Sequence, residues 1–163
     1  NQAVIEEVSK SPNLSPLWRP LQIELTKQII SMIPGTEMAY LMKTGSDATS
    51  GAIRLARLYT GKNKVIRWGY HGWHDWATAV PGGIPKHIKD DIFEFEYNDI
   101  SSVEKIFEEN KDDIACVIMM PFEIEKPKDN FLQKVRDLAH KNKSLFILDE
   151  MRSGFRIAYF FSA

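Results

Sequence analysis

Three short segments of this sequence carry side chains able to do chemistry. Tyr70-His71-Gly72-Trp73-His74-Asp75 gathers two indole or phenol rings, two imidazoles and a carboxylate into six residues. A flat aromatic there can stack on a planar heteroaromatic ligand. His71, His74 and Asp75 could instead ligate a metal, but Gly69 and Gly72 argue for loop and no complete ligand set with a known spacing is present. A merely structural histidine pair is the plain alternative. Thr44-Gly45-Ser46-Asp47-Ala48 joins a glycine, which lets the backbone approach a ligand, to a helix start whose unpaired N–H groups lie at the positive dipole end. Gly45 and Ser46 are the candidate phosphate contacts. Asp47 would repel a phosphate, so its side chain is assigned to capping; an ordinary capped turn is the competing reading. Asp149 ends an apolar run, so its carboxylate is partly desolvated unless a cation meets it. That cation could be a protonated ring nitrogen, an arginine or a metal, or Asp149 could cap the turn before Gly154 or pair with Arg152 or Arg156.

These segments need elements to position them, and apolar periodicity supplies an alternation of helices and strands. Leu21, Leu25, Ile29 and Met32 recur at helical spacing behind Pro20, which suits a first helical position, and Pro34-Gly35 ends the helix. Met38 to Met42 reads as a short buried strand. A helix from Asp47 to Thr60 presents Ala48, Ala52 and Ala56 on a face that allows close approach to a sheet, and Gly61 closes it. Lys64 to Trp68 and Phe93 to Phe95 read as strands, with Pro81 to Pro85 as loop. Ser101 with Glu104 has capping-box spacing before a helix whose core face is Val103, Ile106 and Phe107. Ile114 to Met120 is a continuous apolar run, as in a strand covered on both faces. Asp129 or Asn130 caps a helix with Phe131, Val135, Leu138 and Ala139 inward, and Leu145 to Leu148 is the last strand. The pattern is α/β with a mainly parallel sheet flanked by helices, and in such sheets ligands bind beyond the carboxyl ends of the strands.

Composition removes other classes. Of 163 residues 44% are hydrophobic and 26% charged, ordinary proportions for a soluble globular chain. The single cysteine, Cys116, excludes a disulfide framework and reads as a reduced core residue. Twenty-one basic against 22 acidic residues leave no basic stripe for nucleic acid. The longest apolar stretch, Ile114 to Phe122, is far short of the roughly 18 residues a membrane span needs. A cytoplasmic setting follows as the expectation.

Taken in order, Lys43-Thr44-Gly45-Ser46-Asp47-Ala48-Thr49, Arg54 to Gly61, Tyr70 to Asp75 and Leu148-Asp149-Glu150-Met151-Arg152-Ser153-Gly154-Phe155-Arg156 resemble the class III aminotransferases, within them the group similar to glutamate-1-semialdehyde 2,1-aminomutase. The resemblance covers about Leu21 to Arg156. It implies fold type I and the cofactor pyridoxal 5′-phosphate (PLP). By resemblance, Gly45 and Ser46 match the phosphate-binding positions, Tyr70 the aromatic that stacks on the pyridine ring, and Asp149 the carboxylate that pairs with the ring nitrogen. A protonated nitrogen makes the ring an electron sink, and a neighbouring carboxylate favours that proton. His71 joins the cofactor-binding set within the same motif, and Met151 stands where the family commonly has a valine against the other ring face. The resemblance also implies a small-molecule amino donor, a carbonyl acceptor and a homodimer.

Three departures qualify the match. Met120 occupies the position of a usual glutamate before Pro121, and Trp73-His74-Asp75-Trp76 differs from the residues typical of true aminomutases. The family's Schiff-base lysine lies beyond the strand that carries the aspartate, whereas the last lysine here is Lys143; Lys43 and Lys64 read as solvent-facing charges. The resulting expectation is the first half of a large domain: residues 1–35 a helical lead-in, 36–163 a partial PLP-binding domain, and 163 the length of a piece that does not turn over substrate alone. Internal amino exchange, as in an aminomutase, and a non-catalytic remnant are the alternatives to amino transfer.

Overall fold

A computed structural model of the chain describes residues 1–10, 18–80 and 82–156. The chain divides into two compact units, residues 1–41 and 42–163. In the first, α1 (Gln2–Lys10) and α2 (Pro20–Met32) are joined by an ion pair between Arg19 and Glu7. Pro20 takes the first helical position of α2 as expected, and the Gln22 side chain accepts the Arg19 N–H at 2.8 Å. Trp18 meets Tyr40 edge to face at 5.8 Å. The strand expected at Met38 to Met42 does not form, and Met38 and Tyr40 are exposed. Its apolar residues suit a ladder, but among the described residues no strand pairs with it.

The second unit is built on a parallel sheet of β1 (Lys64–Trp68), β2 (Ile92–Glu94), β3 (Ile114–Met119) and β4 (Leu145–Leu148), in the order β2-β1-β3-β4. Its helices are α3 (Gly45–Thr60), the single turn α4 (Lys86–Lys89), α5 (Ile100–Glu109) and α6 (Phe131–Lys141). Side-chain alternation along central β3 divides the core. Cys116 and Ile118 pack with Val65 against Ile53 and Ala56 of α3, while Val117 and Met119 pack with Ile66 against α5 and α6. Ile114 falls in the second group because the register shifts between Lys64 and Val65, leaving Ala115 without a paired residue. Every residue of β3 is buried, as its unbroken apolar run predicts, whereas β4 at the sheet edge is only half-buried.

Several local signals act one or two positions from where the sequence pattern put them. Helix α3 starts at Gly45 rather than Asp47, because Thr44 is its N-cap. Its buried face is Ser46, Thr49, Ile53 and Ala56; Ala48, expected toward the sheet, is exposed. Helix α5 is capped by Asp99, whose carboxylate accepts the Ser101 N–H at 3.0 Å, not by Ser101. Asn130 holds the cap position of α6 in a left-handed conformation without a side-chain bond. Lys64 is partly buried rather than solvent-facing, held by Asn110 at 2.9 Å and Asp113 at 3.7 Å.

The chain passes from β1 to β2 on one side and later to β3 and β4 on the other, so the sheet reverses direction at β1 and β3. A crevice opens beyond the carboxyl ends of strands at such a reversal. The segments that follow β1, β3 and β4 begin there, and they hold Tyr70 to Asp75, Met120 and Asp149.

Candidate cofactor site

The N-terminus of α3 is shaped by a capping box. Asp47 N donates to Thr44 Oγ1 at 3.2 Å, while Asp47 Oδ2 accepts from Thr44 N at 3.1 Å and Thr44 Oγ1 at 2.7 Å. The one carboxylate of the first turn is thereby turned back onto the cap, as the sequence suggested. The N–H groups of Gly45 and Ser46 lie in the turn that has no intrahelical acceptor, at the positive end of a 16-residue helix. Ser46 Oγ accepts from Trp73 N at 3.3 Å, which leaves its own hydrogen free to be donated to an anion.

The segment after β1 lies on this helix. Thr49 Oγ1 donates to His71 O at 2.8 Å, and Gly72 sits at φ +109 where a Cβ would come within 2.2 Å of Ser46 Oγ. Only glycine allows that approach and that backbone angle. Gly69, also at positive φ, is tight against Met120, and Met120 Sδ accepts from Tyr70 N at 3.3 Å. The sulfur thus steadies the Tyr70 backbone. Tyr70 is half-exposed.

Asp149 sits where β4 ends, its N–H donating to Met119 O at 2.8 Å. Oδ1 accepts from Met151 N at 3.1 Å, and Oδ2 lies 2.8 Å from His71 Nδ1. The His71 side chain is fully buried and that of Asp149 nearly so, and His71 Nε2 lies 3.0 Å from Trp68 O. A carbonyl and a carboxylate are both acceptors, so the pair needs a hydrogen on each ring nitrogen or one shared with the Asp149 carboxyl. Both nitrogens of His71 are used by the protein; it can reach a ligand only through Asp149. Arg152 pairs with Glu123 at 2.9 Å and Arg156 donates to Arg152 O, so neither arginine takes the Asp149 carboxylate.

The structure therefore brings together what the sequence held apart. Met151 packs on Gly45, at 3.4 Å from a Cβ placed there; Ser46 touches Gly72 and Trp73; and His71 binds Asp149. His71 and His74 diverge: His71 turns to Asp149, while His74 Nδ1 is 2.8 Å from Ser50 Oγ of α3. Among the described residues no group of three or more His, Cys, Asp or Glu side chains could hold a metal. Ser50, Thr49 and Trp76 were not legible as site residues. The available signal was the polar run Thr49-Ser50, one turn after Ser46, on a helix that faces a sheet.

The class-III aminotransferase family model matches residues 2–158. The chain belongs to that family. Relatives include a 3-aminobutyryl-CoA aminotransferase of Cloacimonas acidaminovorans (strain Evry), 48% identical over 96% of this chain and 39% of the relative. A glutamate-1-semialdehyde 2,1-aminomutase of Francisella philomiragia is 37% identical over 84% of this chain and 36% of its own length. Among solved structures, a PLP form of the FumI protein of Sphingopyxis sp. MTA144 superposes with a TM-score of 0.90 at 27% identity, covering 98% of this chain and 40% of that one. The chain thus spans about two fifths of the length of the relatives it matches. The family is PLP-dependent, and the residues present suit that group: unsatisfied helix-start donors for a phosphate, an exposed tyrosine ring for a pyridine, and a buried carboxylate held by two donors for a ring N–H. No described helix is long and apolar enough to cross a membrane.

Proposed function

We propose that these residues form the phosphate and ring-nitrogen side of a PLP site in an enzyme that moves an amino group between a small-molecule amino donor and a carbonyl acceptor. The observation that carries the reading is Asp149, a carboxylate at a strand end held between His71 and the Met151 N–H. Bound there, PLP supplies an electron sink for the carbanion at the amine-bearing carbon of the substrate. Asp149 keeps a proton on the ring nitrogen, and His71 acts through Asp149 by fixing its second oxygen. Gly45 and Ser46 bind the phosphate through backbone N–H groups and the Ser46 hydroxyl. Tyr70 lies against one ring face and Met151 covers the other from its seat on Gly45.

The 163 residues include no lysine after Lys143. The amine that anchors the cofactor and moves the proton of the substrate's amine-bearing carbon is not supplied by the residues at this site, and the chain by itself is proposed to be inactive, in a cytoplasmic enzyme that works as a homodimer. For the substrate, identity favours an acyl-CoA β-amine over an amino semialdehyde, since the relative so named is 48% identical against 37%. The Trp73-His74-Asp75-Trp76 run, unlike that of aminomutases, agrees.

The test is made on full-length protein with PLP, offering 3-aminobutyryl-CoA, glutamate 1-semialdehyde and common amino acids as donors and following the visible absorption of the bound cofactor. Turnover with the first, reduced about 10²–10³-fold in Asp149→Asn, is the expected result. A full-length protein that shows no protein-bound PLP absorption overturns the reading.

A further inference from the structure

The segment after β1 is fastened to α3 at three successive places. Two of them, Trp73 N to Ser46 Oγ and Thr49 Oγ1 to His71 O, lie inside the site. The third runs from Asp47 of the capping box to Trp76, which stacks on the His71 ring at 6.0 Å, and the reading above gives its middle members, His74 and Ser50, no role. Trp76 Nε1 donates to Ser50 Oγ at 2.9 Å, Ser50 Oγ is 2.8 Å from His74 Nδ1, and His74 Nε2 is 3.8 Å from Asp47 Oδ1. An indole N–H can only donate, so Ser50 Oγ accepts there, and its hydrogen and second lone pair let it meet His74 Nδ1 as donor or as acceptor. His74 Nε2 faces the Asp47 oxygen that the capping box leaves unused, since Thr44 takes the other. Trp73 packs edge-on over the same imidazole at 5.2 Å.

We propose that His74 is a positioning residue for the cofactor: the run Trp76, Ser50, His74, Asp47 seats the Tyr70-His71 loop on the first two turns of α3 and so sets the tyrosine ring at a fixed place relative to the Gly45 and Ser46 donors. The proposal rests on the PLP reading. Inside the site the loop near Tyr70 is fastened by the Thr49 and Ser46 hydroxyls, by the Met120 sulfur and by His71 on Asp149 and Trp68 O, and the run through His74 adds the hold on its far side, beyond Gly72. A displaced ring loses affinity without any loss of a ligand contact residue.

The experiment uses the full-length apoprotein and PLP, in wild type, His74→Phe, Ser50→Ala, their double variant, and His74→Asn, which keeps an acceptor at the place of Nδ1. Dissociation constants for PLP and amide exchange of the 69–78 segment without PLP are both read. The single variants are expected to weaken PLP binding roughly five- to tenfold, the double variant no further, and His74→Asn to recover to within about twofold, with loop exchange following the same order. Unchanged affinity in His74→Phe, multiplied losses in the double variant, or His74→Asn no better than His74→Phe overturns the proposal while wild type still binds. A wild type that does not bind PLP overturns the functional reading itself and the proposal with it. Should Ser50→Ala fail to fold, Trp76→Phe, which removes only the indole donor, is expected to give a loss of about two- to threefold, and no loss overturns the proposal.

Discussion

At the scale of single residues, burial decides what each group can do. His71 and Asp149 form a buried pair whose partners are all accounted for, so removing one side leaves the other desolvated and unanswered. His71→Ala is expected to destabilise the fold by about 3–5 kcal/mol, read as a loss in denaturant midpoint without PLP. Gly72→Ala places a methyl group against Ser46 at a left-handed φ and should cost about 3 kcal/mol, with loss of PLP binding in the same variant. Cys116 shows the opposite use of burial. Desolvation pushes its thiol up to about 12, with a small opposing effect of Arg57, and burial likewise pushes the Tyr97 phenol up to about 12, helped by Glu125. Tyr97 also donates to Pro121 O at 2.6 Å. The unfolded chain releases these protons first, near the ordinary values of 9.0 and 10.0, so the stability they contribute is intact below about 9 and is lost as pH rises toward 12. Thermal midpoints should hold from pH 7 to 8.5 and fall from pH 9 to 11, and a thiol reagent should leave Cys116 unmodified until the chain unfolds.

At the scale of elements, the site is a set of strand ends and one helix start. The Thr44 and Asp47 side chains open α3, and Asp47→Ala is expected to cost about 1 kcal/mol, measured by denaturant unfolding, because it removes half of the capping box. The parallel sheet, the fully buried β3 and the placement of Asp149 at the end of β4 were all legible, since an apolar run of six and a second run of four that stops at an aspartate carry that information locally. The start of α3 was read two residues late, at Asp47, because Thr44 and Asp47 are both strong capping residues and only the bond from Asp47 N to Thr44 Oγ1 decides between them. The Met38 to Met42 segment was not, because whether an apolar pentamer becomes a strand depends on a ladder partner distant in sequence. The cap of α5 was misplaced by two residues because Asp99 and Ser101 have nearly equal capping strength, and the backbone turn at Asn98 settles it in favour of Asp99. The partners of His71 and His74 were illegible for a different reason: they lie 78 and 24 residues away, and the same motif serves a metal or a core equally well on paper.

At the scale of the whole molecule, composition and surface lead to different expectations. A net charge of -1 on 163 residues gives little repulsion between copies. On α3, Leu55, Leu58 and Tyr59 stand 63%, 81% and 78% exposed at helical spacing, on the side away from the sheet. β4 adds an edge strand whose residues are only half-covered. An apolar helix face and a strand edge that no described residue pairs with are two features that ordinary soluble chains suppress. The 163-residue chain made alone is therefore expected to associate, with sedimentation showing species larger than 18.7 kDa that grow with concentration. Replacing Leu58 and Tyr59 by lysine should shift the distribution toward the monomer without lowering the denaturant midpoint by more than about 0.5 kcal/mol, since neither side chain is in the core. A single concentration-independent monomer for the unaltered chain would show that its exposed face does not drive association.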